Sequence, residues 1–441
     1  MIECIRNERL NEQYECIRHS SGLSVLLFQK KCVTTYATLV IRYGAQDTSF
    51  LLDGIKHKVP DGTAHFLEHK MFARPDGGDA NELFSALGAD ANAWTSYDKT
   101  AYLFSTSEPA DGALTTLIEF VSNPYFTREN VAKEKGIIRE EIAMGEDDPW
   151  QRLYEQSMQA AYHRHGVRRK ICGSVSSIGR ITPAVLNTCY NAFYRPDNAY
   201  LIICGDITMS RVMAAIDEPL NLWHERMREF SRATRLGHVD APSVLRKCVC
   251  KTGEVSRPIF RICWKDNHVC RTPYEQLMHE TGMNILSEML FCRSAKFYDD
   301  LFEAGKIAPS YSYGYSSQSG LCPLGYHSVE GEADNAQVVF SAYEQYLEDV
   351  RRNGLQYEDF ERMRRVLYAG FVSQFDFPDD IADLMCDAFG DGRQVFDVLK
   401  VLENITFEQV QSLFDHSFDM RTTVFSTIVP EHIANKEELD V

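Results

Sequence analysis

No stretch of this 441-residue chain runs for about eighteen apolar residues without interruption, so no membrane-spanning helix is expected. The opening residues Met1-Ile2-Glu3-Cys4-Ile5-Arg6-Asn7-Glu8 lack the basic start and following apolar run of an export signal. Together these absences predict a soluble, cytoplasmic protein. Positive charge is also scarce: 46 Lys and Arg stand against 63 Asp and Glu, a net charge of −17. That balance argues against a nucleic-acid surface and against binding to anionic membranes. Acidic clusters at Glu146-Asp147-Asp148 and at Asp376 with Asp379-Asp380 favour basic substrates only weakly, because such clusters are usually solvated faces. Paired cysteine spacing is missing as well. The thirteen cysteines are odd in number and scattered, and neither Cys248-x-Cys250 nor Cys263 with Cys270 has the C-x-x-C spacing of structural zinc. They read as reduced thiols in a reducing compartment.

What is present is an ordinary globular composition, 44% hydrophobic and 25% charged, over a length that exceeds what one hydrophobic core usually organises. The most informative residues are His65-Phe66-Leu67-Glu68-His69, an H-x-x-E-H pattern. On a helix, His65 and His69 at i and i+4 share one face, so both imidazoles reach a single metal ion while Glu68 lies beside them. A catalytic zinc takes three protein ligands and keeps a fourth position for water, whose proton a nearby carboxylate accepts. Three fixed positions in five residues also arise by chance in long proteins, so the context matters. Gly62 and Thr63 precede the motif, Ala64 to Phe72 suits a helix, and Arg74-Pro75-Asp76-Gly77-Gly78 ends it with strong breakers.

The best candidate for a third ligand is Glu141, in the helical stretch Glu134-Lys135-Gly136-Ile137-Ile138-Arg139-Glu140-Glu141-Ile142. Glu134 and Glu141 are two helical turns apart and project from nearly the same face, with Ile137, Ile138 and Ile142 as an apolar stripe for docking. Glu134 is then placed to orient a ligand, and Glu140 points towards solvent. Spacing alone does not prove that Glu141 meets the histidines, since carboxylates in so charged a helix are usually surface residues.

The order His65-x-x-Glu68-His69, then Asn92-Ala93-Trp94-Thr95-Ser96 with Thr100 and Tyr102, then Glu134 and Glu141, resembles the pitrilysin or insulinase family of zinc peptidases. Asn123-Pro124-Tyr125-Phe126 and Phe193-Tyr194-Arg195-Pro196-Asp197-Asn198 extend the likeness over most of the chain. The segments Glu134-Lys135-Gly136-Ile137-Ile138 and Asp147-Asp148-Pro149-Trp150 bring it nearest to short bacterial members related to the mitochondrial processing peptidase. The resemblance implies one zinc ion per chain held by His65, His69 and Glu141, with Glu68 as general base and Glu134 as a supporting carboxylate of the catalytic centre. It also implies that Asn92 and Ala93 begin an edge strand that pairs with the backbone of a peptide or unfolded polypeptide substrate. The Trp, Thr, Tyr and Phe content of Ala93 to Ser105 independently suits a strand pair.

Read for repeats, the chain holds two distant copies of one unit. The strand Thr38 to Arg42, the H-x-x-E-H helix, the strand pair after Asn92, the helix Asp111 to Ser122 and the acidic helix have counterparts in order. These are the strand Ile259 to Trp264, a helical run from Tyr274 to Phe302, a strand pair over Tyr311 to His327, and helices over Ala333 to Arg352 and Tyr357 to Gln374. The expected fold is α+β, with two homologous halves that are each a mainly antiparallel sheet packed with helices. The expected division is 1–220 for the zinc-bearing half, 221–242 for a linker, 243–430 for a non-zinc half and 431–441 for a polar tail.

The second copy lacks H-x-x-E-H, and His279-Glu280 has no partner histidine at the required offset, which suits a structural role. Active relatives bring an arginine and a tyrosine to the zinc from a domain of this second type, and Leu301 to Tyr311 offers no such arginine. The resemblance therefore points to a homologous non-zinc partner subunit, or to a homodimer. Two other readings stay open: a non-catalytic assembly subunit on the same fold, and a different metallohydrolase in which His163-x-His165 forms a second metal site. Histidines at i and i+2 among arginines suit a solvent-exposed loop better than a ligand pair.

Overall fold

A computed structural model describes residues 2–318 and 321–434. The chain forms two compact units: Met1–Ile142, Arg169–Leu236 and Gln374–Gly390 make the first, and Ala143–Arg168, Gly237–Ser373 and Asp391–Val441 the second. The strands of the first unit are β1 (Ile2–Asn7), β2 (Glu12–Arg18), β3 (Ser24–Gln29), β4 (Thr35–Ile41), β5 (Ser49–Leu52), β6 (Ile55–Lys58), β7 (Ala89–Thr95), β8 (Thr100–Thr106), β9 (Ala199–Gly205) and β10 (Thr234–Arg235). Those of the second are β11 (Cys248–Gly253), β12 (Ile259–Lys265), β13 (Ser312–Gln318), β14 (Leu324–Glu332) and β15 (Thr423–Pro430).

The first unit is built on a seven-stranded sheet in the order β1-β2-β3-β9-β4-β8-β7, and the second on a five-stranded sheet in the order β11-β15-β12-β14-β13. Strand for strand, β3-β9-β4-β8-β7 matches β11-β15-β12-β14-β13. The first pair of each series is parallel and the rest antiparallel. The duplication read from element order is thus a duplication of topology, with the hairpin β1-β2 added to the first copy.

Central strands are buried on both faces, which is why they read as continuous apolar runs. Alternation then divides each strand between two layers. In β9, Ala199, Leu201 and Ile203 join a core with Phe66, Leu67, Tyr102, Leu117 and Trp223. Tyr200 turns the other way, where its hydroxyl donates to the Cys386 carbonyl at 3.1 Å and its ring lies 5.1 Å from Phe389. That outer layer is the helix Pro378–Gly390, supplied from late in the sequence. The second sheet has the reciprocal arrangement. Phe260, Ile262 and Trp264 of β12 face one core, whereas Ile259 meets Leu153 of the helix Pro149–Ala161, supplied from early in the sequence. The sequential division at residues 220 and 243 therefore misses these two exchanged segments.

The stretch 221–242 is also not a free linker. The helix Met209–Met227 runs into it because Leu220, Trp223 and Met227 continue its buried face, and the Trp223 indole donates to the Tyr194 carbonyl at 3.1 Å. Beyond it, β10 pairs with β5, and Arg235 bonds Asp47 at 2.8 Å. Asp240, in the second unit, accepts from the backbone N–H groups of His163 and Arg164 and from the Lys265 ammonium at 2.7–2.9 Å. The expected helical run Tyr274 to Phe302 is two helices, Pro273–Phe291 and Lys296–Glu303, because Cys292 adopts an extended conformation. Of the expected polar tail, residues 435–441 lie outside the described residues.

Candidate metal centre

The motif helix spans Thr63–Met71 and starts from Gly62, whose φ of 87° and closeness to the Cys172 carbonyl exclude a side chain. Its apolar face, Ala64, Phe66, Leu67 and Met71, is fixed in the core, which turns His65 and His69 together towards the acidic helix Arg128–Asp147. That helix buries Val131, Glu134, Ile138 and Ile142 at helical spacing. Ile137, expected in the docking stripe, is instead 49% exposed, because it lies about 100° around the helix from its neighbour Ile138.

The docking brings Glu141 to both histidines. His65 Nε2 lies 3.3 Å from Glu141 Oε1, and His69 Nε2 lies 3.7 Å from Glu141 Oε2. One ligand atom from each of the three residues falls within 4.8 Å of the others. Tetrahedral ligands about 2.05 Å from zinc stand roughly 3.3 Å apart, so this donor set suits that ion. Glu141 Oε2 is buried without a hydrogen-bond partner among the described residues, as a ligand atom awaiting a cation would be. The two other glutamates have distinct surroundings. Glu134 Oε1 meets His69 Nδ1 at 3.1 Å and so leaves Nε2 directed at Glu141, while Glu134 Oε2 accepts from the Lys70 ammonium at 3.1 Å. Glu68 is buried, and its Oε2 accepts from the Thr95 hydroxyl at 2.6 Å.

Electrostatics follow from this packing. Burial opposes the charge on His69, but the Glu134 hydrogen bond and the carboxylates of Glu68, Glu134 and Glu141 raise its pKa. Burial also opposes ionisation of Glu134, yet His69 and Lys70 hold its carboxyl below the usual range. The hydrogen bond from His65 does the same for Glu141, against the effect of burial. The centre is therefore a set of ionised carboxylates around two imidazoles, an environment for a cation.

Beside it, β7 is the last strand of its sheet and, among the described residues, pairs only with β8, so its outer edge takes no strand there. The Ala93 N–H is taken by the Asn92 side-chain oxygen at 2.8 Å and is not spent on β8. Glu68, His69, Asn92, Ala93, Tyr125 and Ile137 line a cavity of about 740 Å³ along this edge. Tyr102 and Tyr194, far apart in sequence, join beneath the site through a 2.7 Å hydroxyl contact.

Elsewhere the structure corrects one expectation, the exposure of His165. His165 is buried rather than exposed on a loop: its Nε2 contacts the Cys322 carbonyl at 3.1 Å, its Nδ1 accepts from the Val167 N–H, and burial lowers its pKa. Tyr311 is likewise committed, donating its hydroxyl to the Phe291 carbonyl at 2.9 Å. His279 has a structural role, bonded to Asp266 at 2.5 Å. Sequence reasoning missed Lys70 and the service of Thr95 to Glu68. The H-x-x-E-H pattern leaves its following residue unspecified, and the Thr95 contact forms only when β7 lies beside the motif helix.

A His-His-Glu donor set with an adjacent glutamate, on a duplicated α+β fold, is an arrangement in which zinc hydrolases activate water. Residues 57–174 match the profile described as insulinase (peptidase family M16), and residues 180–367 that of the peptidase M16 inactive domain. The chain belongs to this insulinase family, M16. It is 35% identical to the uncharacterized zinc protease YmfH of Bacillus subtilis, over 98% of this chain and 100% of that relative. The crystal structure of a putative M16-like peptidase from Alicyclobacillus acidocaldarius superimposes with a TM-score of 0.87 at 32% identity, covering 95% of this chain and 98% of that one. A protease from Helicobacter pylori shares the fold, with a TM-score of 0.77 at 16% identity over 95% of this chain and 100% of that one.

Proposed function

We propose that this chain is a zinc-dependent metalloendopeptidase that cleaves peptides or unfolded segments by direct attack of water. The observation that carries this reading is the convergence of His65, His69 and Glu141, with Glu68 on the same short helix. Zinc held by those three side chains supplies Lewis acidity and acidifies the water it binds. Glu68, with Oε2 held by Thr95, offers Oε1 to take a proton from the attacking water. The same carboxyl then gives that proton to the amine nitrogen as the peptide C–N bond breaks, so no covalent enzyme intermediate forms. Glu134 keeps His69 oriented. Asn92 and Ala93 on the open edge of β7 pair with the substrate backbone, which gives affinity with little sequence demand.

Oxyanion stabilisation is often among the largest catalytic effects. With no arginine between Leu301 and Tyr311, and with the Tyr311 hydroxyl committed to Phe291, we assign the missing donors to a homologous partner chain or to a second copy in a two-chain chamber. A monomer with full activity removes this assignment. The cytoplasm fits the sequence best, and among the described residues no helix is long and apolar enough to cross a membrane.

The test is metal content per chain together with cleavage of a mixed peptide library, for wild type, Glu141→Ala and Glu68→Gln. Wild type is expected to hold about one zinc and to cleave. Glu141→Ala loses most of the metal, and Glu68→Gln keeps it while turnover is abolished. Cleavage by Glu68→Gln removes Glu68 as the base. A wild type prepared without chelators that holds no zinc shifts the reading to a non-catalytic subunit or a site completed on assembly.

A further inference from the structure

We infer that Lys70 is a positioning residue of the metal centre, which acts through Glu134 on His69 and locks together the two helices that carry the ligands. The inference rests on the reading of His65, His69 and Glu141 as the metal site. Lys70 follows His69 directly and is only 4% exposed, a burial that lysine tolerates only when paired. Its ammonium lies 3.1 Å from Glu134 Oε2, and His69 Nδ1 lies 3.1 Å from Glu134 Oε1. Two consecutive residues of the motif helix thus grip both oxygens of one carboxylate on the acidic helix. Glu134 stands two turns before Glu141, so this grip sets where Glu141 emerges opposite His65 and His69.

Charge points the same way. Glu68, Glu134 and Glu141 place three carboxylates around the two imidazoles. A divalent ion balances two of those charges, and the Lys70 ammonium balances the third. Without Lys70, the Glu134 carboxylate has one oxygen free, can rotate away from His69, and leaves a buried charge uncompensated. The pull on His69 and the seat of Glu141 then loosen together.

The test uses the full-length chain, with affinity for zinc and for cobalt measured by competition with a chromophoric chelator, and the cobalt ligand-field spectrum recorded alongside. The variants are Lys70→Met, Lys70→Arg, Glu134→Gln and the double Lys70→Met with Glu134→Gln. Loss of a group that orients a ligand typically weakens metal binding about 10–100-fold, so Lys70→Met is expected in that range with an altered cobalt spectrum. Lys70→Arg should recover most of the affinity. In the Glu134→Gln background Lys70→Met should add little, since residues acting through one another are not additive. The double variant carries no unpaired charge, so it stays measurable even if either single variant fails to fold, and wild-type affinity in it overturns the inference. Wild-type affinity in Lys70→Met, or an equal loss in both backgrounds, overturns the inference. A wild type that binds neither ion overturns the metal-centre reading and this inference with it, which separates the two failures.

Discussion

Glu68 is a useful base only if its carboxylate is held, and the only side chain that hydrogen-bonds it among the described residues is Thr95, at 2.6 Å. Thr100, the neighbouring hydroxyl, donates to the Tyr43 carbonyl. Thr95→Val keeps the shape and removes the donor. A hydrogen bond to a charged group contributes about 1.5–3 kcal/mol, so a loss felt in the transition state lowers kcat roughly 10–100-fold. Metal content and KM should hardly change, and Thr95→Ser should restore turnover; steady-state kinetics showing an unaltered kcat would make the contact incidental. His327 shows a different residue-scale effect. Its ring is packed 4.8 Å from Phe291 and 5.2 Å from Phe418, and neither nitrogen has a partner among the described residues. Burial, helped by the Arg261 charge, pushes its pKa down to about 3. An unfolded chain takes up that proton near pH 6.5, so the stability contributed by neutral His327 is complete above about pH 6.5 and drains as pH falls towards 3, by roughly 5 kcal/mol at most. Denaturant titrations at pH 7, 5 and 4 should show a shallower loss for His327→Leu than for wild type, and parallel losses would discount the effect.

At the scale of elements, the proposed site is built from β7 and the helices Thr63–Met71 and Arg128–Asp147. The Ala93 N–H, covered among the described residues only by its neighbour Asn92, is the donor a substrate strand would claim. Ala93→Pro removes that donor without breaking the β7–β8 ladder, and edge strands accept proline. KM for peptides should rise about tenfold, by the loss of one backbone hydrogen bond, with zinc content unchanged. An unaltered KM would mean that substrates do not add to this edge. Much of this was legible beforehand. The helix Asp111–Ser122 starts and ends where its pattern indicated, and Glu134 and Glu141 share the face that the two-turn spacing requires. Ile137 was misread because a stripe of three isoleucines does not reveal which of two adjacent ones faces inward. His165 was misread because arginine-rich surroundings in sequence did not reveal that the chain around Cys322 covers it.

For the molecule as a whole, the exchanged helices have a consequence for stability. Within the first unit the helix Pro378–Gly390 covers the face of β9 and β4 that carries Tyr200, Phe375 just before it lies 5.9 Å from Phe28 of β3, and Arg42 caps the helix through the Phe389 and Gly390 carbonyls. A fragment of residues 1–236 lacks this layer, leaving an apolar sheet face in water. Expressed alone it should aggregate or bind a hydrophobic dye, and co-expression with residues 237–434 should suppress both. A soluble, cooperatively folding fragment would show the exchanged helix to be dispensable.

Local chemistry was fixed by the sequence alone: the histidines four apart, the glutamate between them, the breakers that end their helix, and a second set of elements in the same order. These depend on interactions within a few residues, which spacing encodes. Tertiary structure alone decided that Glu141 rather than a neighbour meets the histidines, that Lys70 and Thr95 serve the centre, and that each sheet borrows a helix from the other part of the chain. Those outcomes depend on which surfaces pack when distant segments compete to bury apolar area, and no single stretch of sequence contains that competition.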